Sequence, residues 1–180
     1  MTTALLIVDL QNDYFVDGEL ARCRADLLEA CNTLVDRART AGALVIEVQT
    51  VHAQDKSTWA LNMLDDDQGM ALEGTEGAER LDGLHEPDRV LVKTRDSAFH
   101  GTELFPWLTR GGVDRLVLAG VSTESCIAAT ATDAYAHDLR VVLVEDATAS
   151  VDARLHDQTL EQLHAQYRQD VCSVADVSFD

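Results

Sequence analysis

The sequence predicts one α/β domain: a three-layer, Rossmann-like fold with a largely parallel, six-stranded sheet flanked by helices. Three observations carry this. Short continuous apolar runs recur at 5–8, 44–48, 90–92, 116–119 and 141–144, with a weaker one at 171–174. Stretches with apolar residues at helical spacing lie between them. The 180 residues, 46% hydrophobic and with only two prolines, suit one ordered domain with a full core. Buried strands alternating with helices form a parallel sheet covered on both faces.

The elements follow in order. The first strand is Leu5-Leu6-Ile7-Val8, and it stops at Asp9. A helix over 25–40 carries Leu27, Leu28, Cys31, Leu34, Val35 and Ala38 on one face, and Gly42 is its stop signal. The second strand is followed by a long irregular segment, 52–86, which holds Trp59, the acidic run Asp65-Asp66-Asp67 and four glycines. Connections of this length form lids, binding loops or interfaces. We expect an excursion over the sheet edge that can also meet a partner subunit. The third strand, Val90-Leu91-Val92, stops at Lys93, and a short helix is expected within 101–110. The fourth runs to Gly120, and an alanine-rich helix over 123–137 follows. The fifth strand, a helix over 154–169 and the weak sixth strand complete the pattern. Right-handed crossovers place all strand carboxyl ends on one edge. No repeat or low-complexity linker divides residues 1–180.

Composition excludes several partners. A net charge of −18 argues against nucleic acid and anionic membrane surfaces, since both require a basic face. It leaves small-molecule substrates open, anionic ones included, because a local Lys or Arg overrides the global field. The first apolar run is cut by Asp9 and has no basic segment ahead of it, unlike a secretion signal, and no stretch reaches membrane-spanning length. The four cysteines, Cys23, Cys31, Cys126 and Cys172, show no metal-finger or C-x-x-C spacing, so reduced thiols and a cytoplasmic location are expected. No G-x-G-x-x-G follows the first strand, which argues against dinucleotide binding.

Chemistry is expected at three strand ends. Cys126 falls in the first turn after a strand–Gly120–turn sequence, with Thr123 as the expected N-cap. Unpaired N–H groups and the helix dipole there favour a thiolate. Asp9 and Lys93 each terminate an apolar run, where a charge is rare unless paired or functional. A carboxylate, an ammonium and a thiol on one edge make a site. Around it, Tyr14 and Phe15 are candidates for the pocket wall. His52 and Trp59 are candidate lid contacts, Trp59 foremost for its large ring, and Arg95 is a candidate for a substrate carboxylate. Gln11 and Asn12 are expected to pin the loop after Asp9, and the other histidines to be solvated or structural.

Three segments, 4–15 (ALLIVDLQNDYF), 93–104 (KTRDSAFHGTEL) and 119–129 (AGVSTESCIAA), together resemble the signatures of the isochorismatase-like cysteine hydrolases. The likeness extends over nearly the whole chain. It implies an Asp9–Lys93–Cys126 triad, a cis peptide between Val121 and Ser122, and an oxyanion hole from the N–H groups of Ser122 and Cys126. It also implies a homo-oligomer, dimer or tetramer, with no cofactor. Enzymes of this family that cleave a vinyl ether typically lack the cysteine, so Cys126 implies hydrolysis of an amide, carbamoyl, ureido or lactam C–N bond. Nicotinamidases carry an Asp-x-His metal pair after the second strand. Thr50-Val51-His52 stands there instead, so no metal is expected and nicotinamide is disfavoured. Two other readings remain: a catalytically silent interaction protein, and a thiol redox sensor with Cys172 as the resolving partner.

Overall fold

The computed structural model describes residues 1–179. Six strands form one parallel sheet: β1 (Thr3–Val8), β2 (Leu44–Thr50), β3 (Arg89–Lys93), β4 (Arg115–Val121), β5 (Arg140–Ala149) and β6 (Asp170–Cys172). Their order is β3-β2-β1-β4-β5-β6, every neighbouring pair parallel. The chain winds outward from β1 to β3, then returns to lay β4 on the other side of β1. That reversal opens a crevice at the carboxyl ends of β1 and β4, where open α/β sheets bind ligands. Side chains of β1 alternate between two cores. Leu5 and Ile7 join α1 (Gly18–Thr40) and the C-terminal Val177 and Phe179 on one face. Ala4, Leu6 and Val8 pack on the other, with α3 (Leu104–Arg110), α4 (Ala128–Ala136) and α5 (Ala153–Tyr167).

Several elements differ from expectation for identifiable reasons. Helix α1 begins at Gly18, seven residues before the expected start, because Leu20 continues the buried stripe of Leu27 and Leu34. It ends as expected at Gly42, whose left-handed backbone lets Ala43 N–H reach the Ala38 carbonyl and its own N–H reach Arg39. Strand β3 lies at the sheet edge, so Val90 and Val92 are about half exposed and only its other face is buried. Strand β5 runs past 144 through a register shift opposite Leu118 and Gly120, which turns Glu145 and Asp146 out to solvent. Asp146 accepts a hydrogen bond from Val174 N–H, and β6 stops at Cys172. Segment 52–86 contains α2 (Leu61–Asp66) and a single 3-10 turn at Glu76–Ala78. It is stitched down by isolated bridges between Gln11 and Arg80 and between His52 and Leu72.

Candidate active site

Four adjacent strands deliver four side chains to one edge. Lys93 ends β3, Thr50 ends β2, Asp9 follows β1, and Cys126 follows β4 by one turn. All four are buried: Asp9 at 0%, Lys93 at 2%, Cys126 at 4% and Thr50 at 7% exposure. Lys93 Nζ lies 2.8 Å from Asp9 Oδ2, 2.7 Å from Thr50 Oγ1 and 3.3 Å from Cys126 Sγ. An ammonium has three protons, and three acceptors surround this one. Asp9 itself takes a left-handed backbone conformation (φ 54°), uncommon for a residue with a side chain and concentrated at functional positions. The three sequence-predicted residues therefore meet.

Cys126 lies in a π-helical turn, Thr123–Ile127, that leads directly into α4. The expected N-cap was Thr123; the cap is Ser122, whose carbonyl accepts from Ser125 N–H and, five residues on, from Ile127 N–H. Such turns are rare and frequent at functional sites. The Val121–Ser122 peptide is cis, as the resemblance implied. Thr123 is fully buried and its hydroxyl meets Nδ1 of His156 on α5 at 2.9 Å, so that histidine braces the turn.

The expected thiolate is corrected by the surroundings of the sulfur. Burial, and then the negative charge of Asp9, push the Cys126 thiol up to about 12, and Lys93 offsets only part of this. Desolvation of the anion is the largest of these effects. The resting sulfur is a neutral thiol. Burial also acts to lower the Lys93 ammonium, yet Asp9 and Cys126 more than compensate and it stays above the usual lysine range. Lys93 is permanently charged at physiological pH.

A cavity of about 780 Å³ opens over Cys126. Its walls include Tyr14, Thr50, His52, Arg95, Asp96 and Ser125, and segment 52–86 roofs it with Ala60, Asn62, Met63 and Met70. Of the candidate wall residues, Tyr14 faces the cavity while Phe15 is in the core beside α1. The lid expectation is inverted: His52 lines the cavity and Trp59 does not. The Trp59 ring is buried under Gly69, which has no room for a Cβ, and its indole donates to the Ala53 carbonyl. His52 Nδ1 is 2.9 Å from the Thr58 carbonyl, which only accepts, so the proton is on Nδ1 and Nε2 is the acceptor. Burial, with Arg95 and Lys93 nearby, depresses its pKa and keeps it neutral. Arg95 reaches the cavity with one guanidinium nitrogen on the carbonyls of Thr58 and Thr94. Gln11 pins more than its own loop, since its amide clamps both the N–H and the carbonyl of Thr50 and also reaches the Ala78 carbonyl. Asn12 ties to Glu76 and Glu79.

Sequence reasoning missed His100 and Asp133 as cavity residues. Ser97 donates to Asp133 at 2.5 Å and Ala98 N–H to the Thr130 hydroxyl at 3.0 Å, which bolts the loop after Lys93 to the helix that follows Cys126. The S-A pair after Asp96 carried no sequence signal for this. It depends on tertiary contact. In the sequence Thr50 reads as the end of the second strand, standing where a metal-binding aspartate would be, with no signal that it joins the cluster.

Across their matched lengths the chain and the isochorismatase domain agree: that family's model covers residues 3–176. The chain belongs to the isochorismatase family. It is 38% identical over 164 residues to a probable inactive nicotinamidase of Arabidopsis thaliana, covering 86% of this chain and 84% of that one. It is 32% identical to the maleamate amidohydrolase of Pseudomonas putida, covering 91% and 80%. The crystal structure of an isochorismatase family protein from Desulfovibrio vulgaris superposes with a TM-score of 0.86 at 34% identity, over 97% of this chain and 95% of that one. Among the described residues no three His, Cys, Asp or Glu side chains converge. Thr50 offers no carboxylate, and its hydroxyl is already committed to Asp9 and Lys93. The donor set does not fit a nicotinamidase-type metal site. Cys172 packs with the core on the α1 face and Cys126 with the opposite one, so they cannot pair across the sheet as a redox couple. Among the described residues no helix is long and apolar enough to cross a membrane.

Proposed function

We propose that this isochorismatase-family hydrolase cleaves the C–N bond of a small amide, carbamoyl, ureido or lactam substrate through an acyl-thioester on Cys126. The observation that carries the proposal is a buried Asp–Lys–Cys cluster facing a cavity large enough for such a ligand. A neutral thiol requires a base at the moment of attack. Asp9 Oδ2 is the candidate: it is buried 2.8 Å from Lys93, while the other carboxylate oxygen holds the Thr50 hydroxyl. Its oxygen takes the S–H proton as sulfur bonds to the carbonyl carbon. The oxyanion is held by the N–H groups of Ser122 and Cys126, whose fixed dipoles cost no reorganisation. Collapse of the tetrahedral species breaks the C–N bond, and Asp9 returns the proton to the departing ammonia or amine. Water then attacks the thioester carbonyl and gives a proton to Asp9, which passes it to the released sulfur. Lys93 holds its positive charge throughout, stabilising whichever of the two partners is anionic.

The test is a panel of small amides, carbamoyl compounds, ureido acids and lactams assayed for ammonia or amine release, run beside Cys126→Ala. Alanine suits this turn and should leave the fold intact. Turnover of one chemical class by the wild type with none by the alanine variant is the expected result. Equal turnover by both proteins sinks the proposal.

A further inference from the structure

We propose that Thr50 is the positioning residue of this site: its hydroxyl occupies Asp9 Oδ1 and anchors Lys93, leaving Oδ2 as the oxygen that receives the Cys126 proton. This rests on the reading of Cys126 as nucleophile and Asp9 as base. The placement comes from topology. In the order β3-β2-β1-β4, strand β2 lies between the lysine strand and the aspartate strand, and Thr50 is the register partner of Lys93. Whatever side chain ends β2 must sit between the two charges. A hydroxyl has one proton and two lone pairs. Thr50 donates to Asp9 Oδ1 at 2.9 Å and accepts from Lys93 Nζ at 2.7 Å. Because an ammonium can only donate, the hydroxyl proton turns away from Lys93, and the Asp9 carboxylate is its charged acceptor.

The scaffold around Thr50 is itself fixed. The Gln11 amide receives Thr50 N–H at 2.8 Å and donates to the Thr50 carbonyl at 2.8 Å, so the end of β2 is held as firmly as by another strand. Gln11 is fully buried. The consequence is an asymmetric carboxylate. Oδ1 has a neutral donor, and Oδ2 has only the Lys93 ammonium, 2.8 Å away and shared with two other acceptors. A hydrogen bond to Oδ1 also fixes the rotation of the carboxyl group. A threonine is suited to this where a serine is looser, because its branched Cβ restricts rotation.

Three variants decide it: Thr50→Val, which keeps the shape and removes the hydroxyl; Thr50→Ser, which keeps the hydroxyl; and Thr50→Ala, used if valine does not fold. Iodoacetamide labelling of Cys126, read by mass spectrometry across pH, needs no identified substrate. In folded Thr50→Val, labelling at neutral pH should fall by about 10- to 100-fold, the value of one charge-assisted hydrogen bond. The pH profile of labelling should move as well, since the hydroxyl contacts both charged neighbours of the thiol. Thr50→Ser should restore both. A residue that merely fills space would leave the pH profile in place, so a wild-type profile in folded Thr50→Val or Thr50→Ala overturns the proposal. Asp9→Asn separates the premises. If it loses labelling while the Thr50 variants keep it, only the role of Thr50 falls. If wild-type Cys126 is not labelled, or Asp9→Asn labels like wild type, the nucleophile–base reading falls and the role of Thr50 with it.

Discussion

Each member of the buried cluster is tolerable only because of the others. The side chains of Lys93 and Asp9 are about 1% and 0% exposed, so removing one charge strands the other in a low-dielectric site. Lys93→Ala should therefore lose about 3–5 kcal/mol at neutral pH, whereas Lys93→Met with Asp9→Asn, which leaves no charge behind, should recover most of it. Denaturant melts of the single and double variants measure this; equal losses in both would mean the pair is solvated in solution. Asp9→Asn alone should also lower turnover by about 10²- to 10⁴-fold, the range for losing a general acid–base. The pH dependence has a definite sign. Folding raises the Lys93 pKa and holds Cys126 and Cys31 up to about 12, so all three bind protons more tightly when folded. Their contribution is complete below the ordinary thiol and amine values, about 8.5 and 10.4, and is lost as pH climbs through the folded-state values. The melting temperature should stay level up to about pH 8.5 on this account and then fall; a rise on the alkaline side contradicts it.

At the level of elements, the crevice is made by the close approach of β1 and β4. Gly120 is at the contact: its φ is 115°, and a Cβ there would meet the Val8 carbonyl oxygen at 2.0 Å. Backbone cannot swing aside as a side-chain tip can. Gly120→Ala should therefore cost more than about 3 kcal/mol or prevent folding, through strain at a special conformation and displacement of the strand that carries Cys126. A folded Gly120→Ala protein with wild-type Tm would refute this geometry. The same strands show what a sequence can disclose. The apolar runs ending at Asp9 and Lys93, and the strand–glycine–turn before Cys126, are local patterns, and they placed the cluster. Thr50 belongs to it for a non-local reason, since only the order β3-β2-β1 puts β2 between the charges. The exchange of roles between His52 and Trp59 is similarly tertiary: ring size made Trp59 the better lid candidate, yet its indole found a carbonyl partner beneath the loop. The exposure of Val90 and Val92 follows from β3 being an edge, which an apolar triplet cannot announce. The π-turn at Cys126 looks in sequence like the opening of an ordinary helix.

For the whole molecule, charge is the dominant property outside the site. Thirty-two acidic residues against fourteen basic ones give −18, a self-repulsion that opposes the compact state. A chain of this length has a radius of gyration of about 16 Å. The screening length is about 30 Å at 0.01 M salt and about 8 Å at 0.15 M, so the repulsion acts across the entire molecule in the first case and only locally in the second. Raising NaCl over that interval should lift Tm by several degrees. The buried cluster should not respond in the same way, because Lys93, Asp9 and Cys126 are shielded from solvent and the distances from Lys93 to Asp9 and Cys126, 2.8 and 3.3 Å, lie well inside the screening length over this range. Iodoacetamide is uncharged and is not steered by the molecular field. Its rate of reaction with Cys126 should therefore change by less than about twofold over the same salt range. Differential scanning calorimetry and timed alkylation measure the two quantities on one preparation. A flat Tm would show that the acidic surface is already neutralised by bound cations. An alkylation rate that fell in step with added salt would place the ion pair in contact with solvent, and the neutral-thiol mechanism, which depends on its seclusion, would not survive.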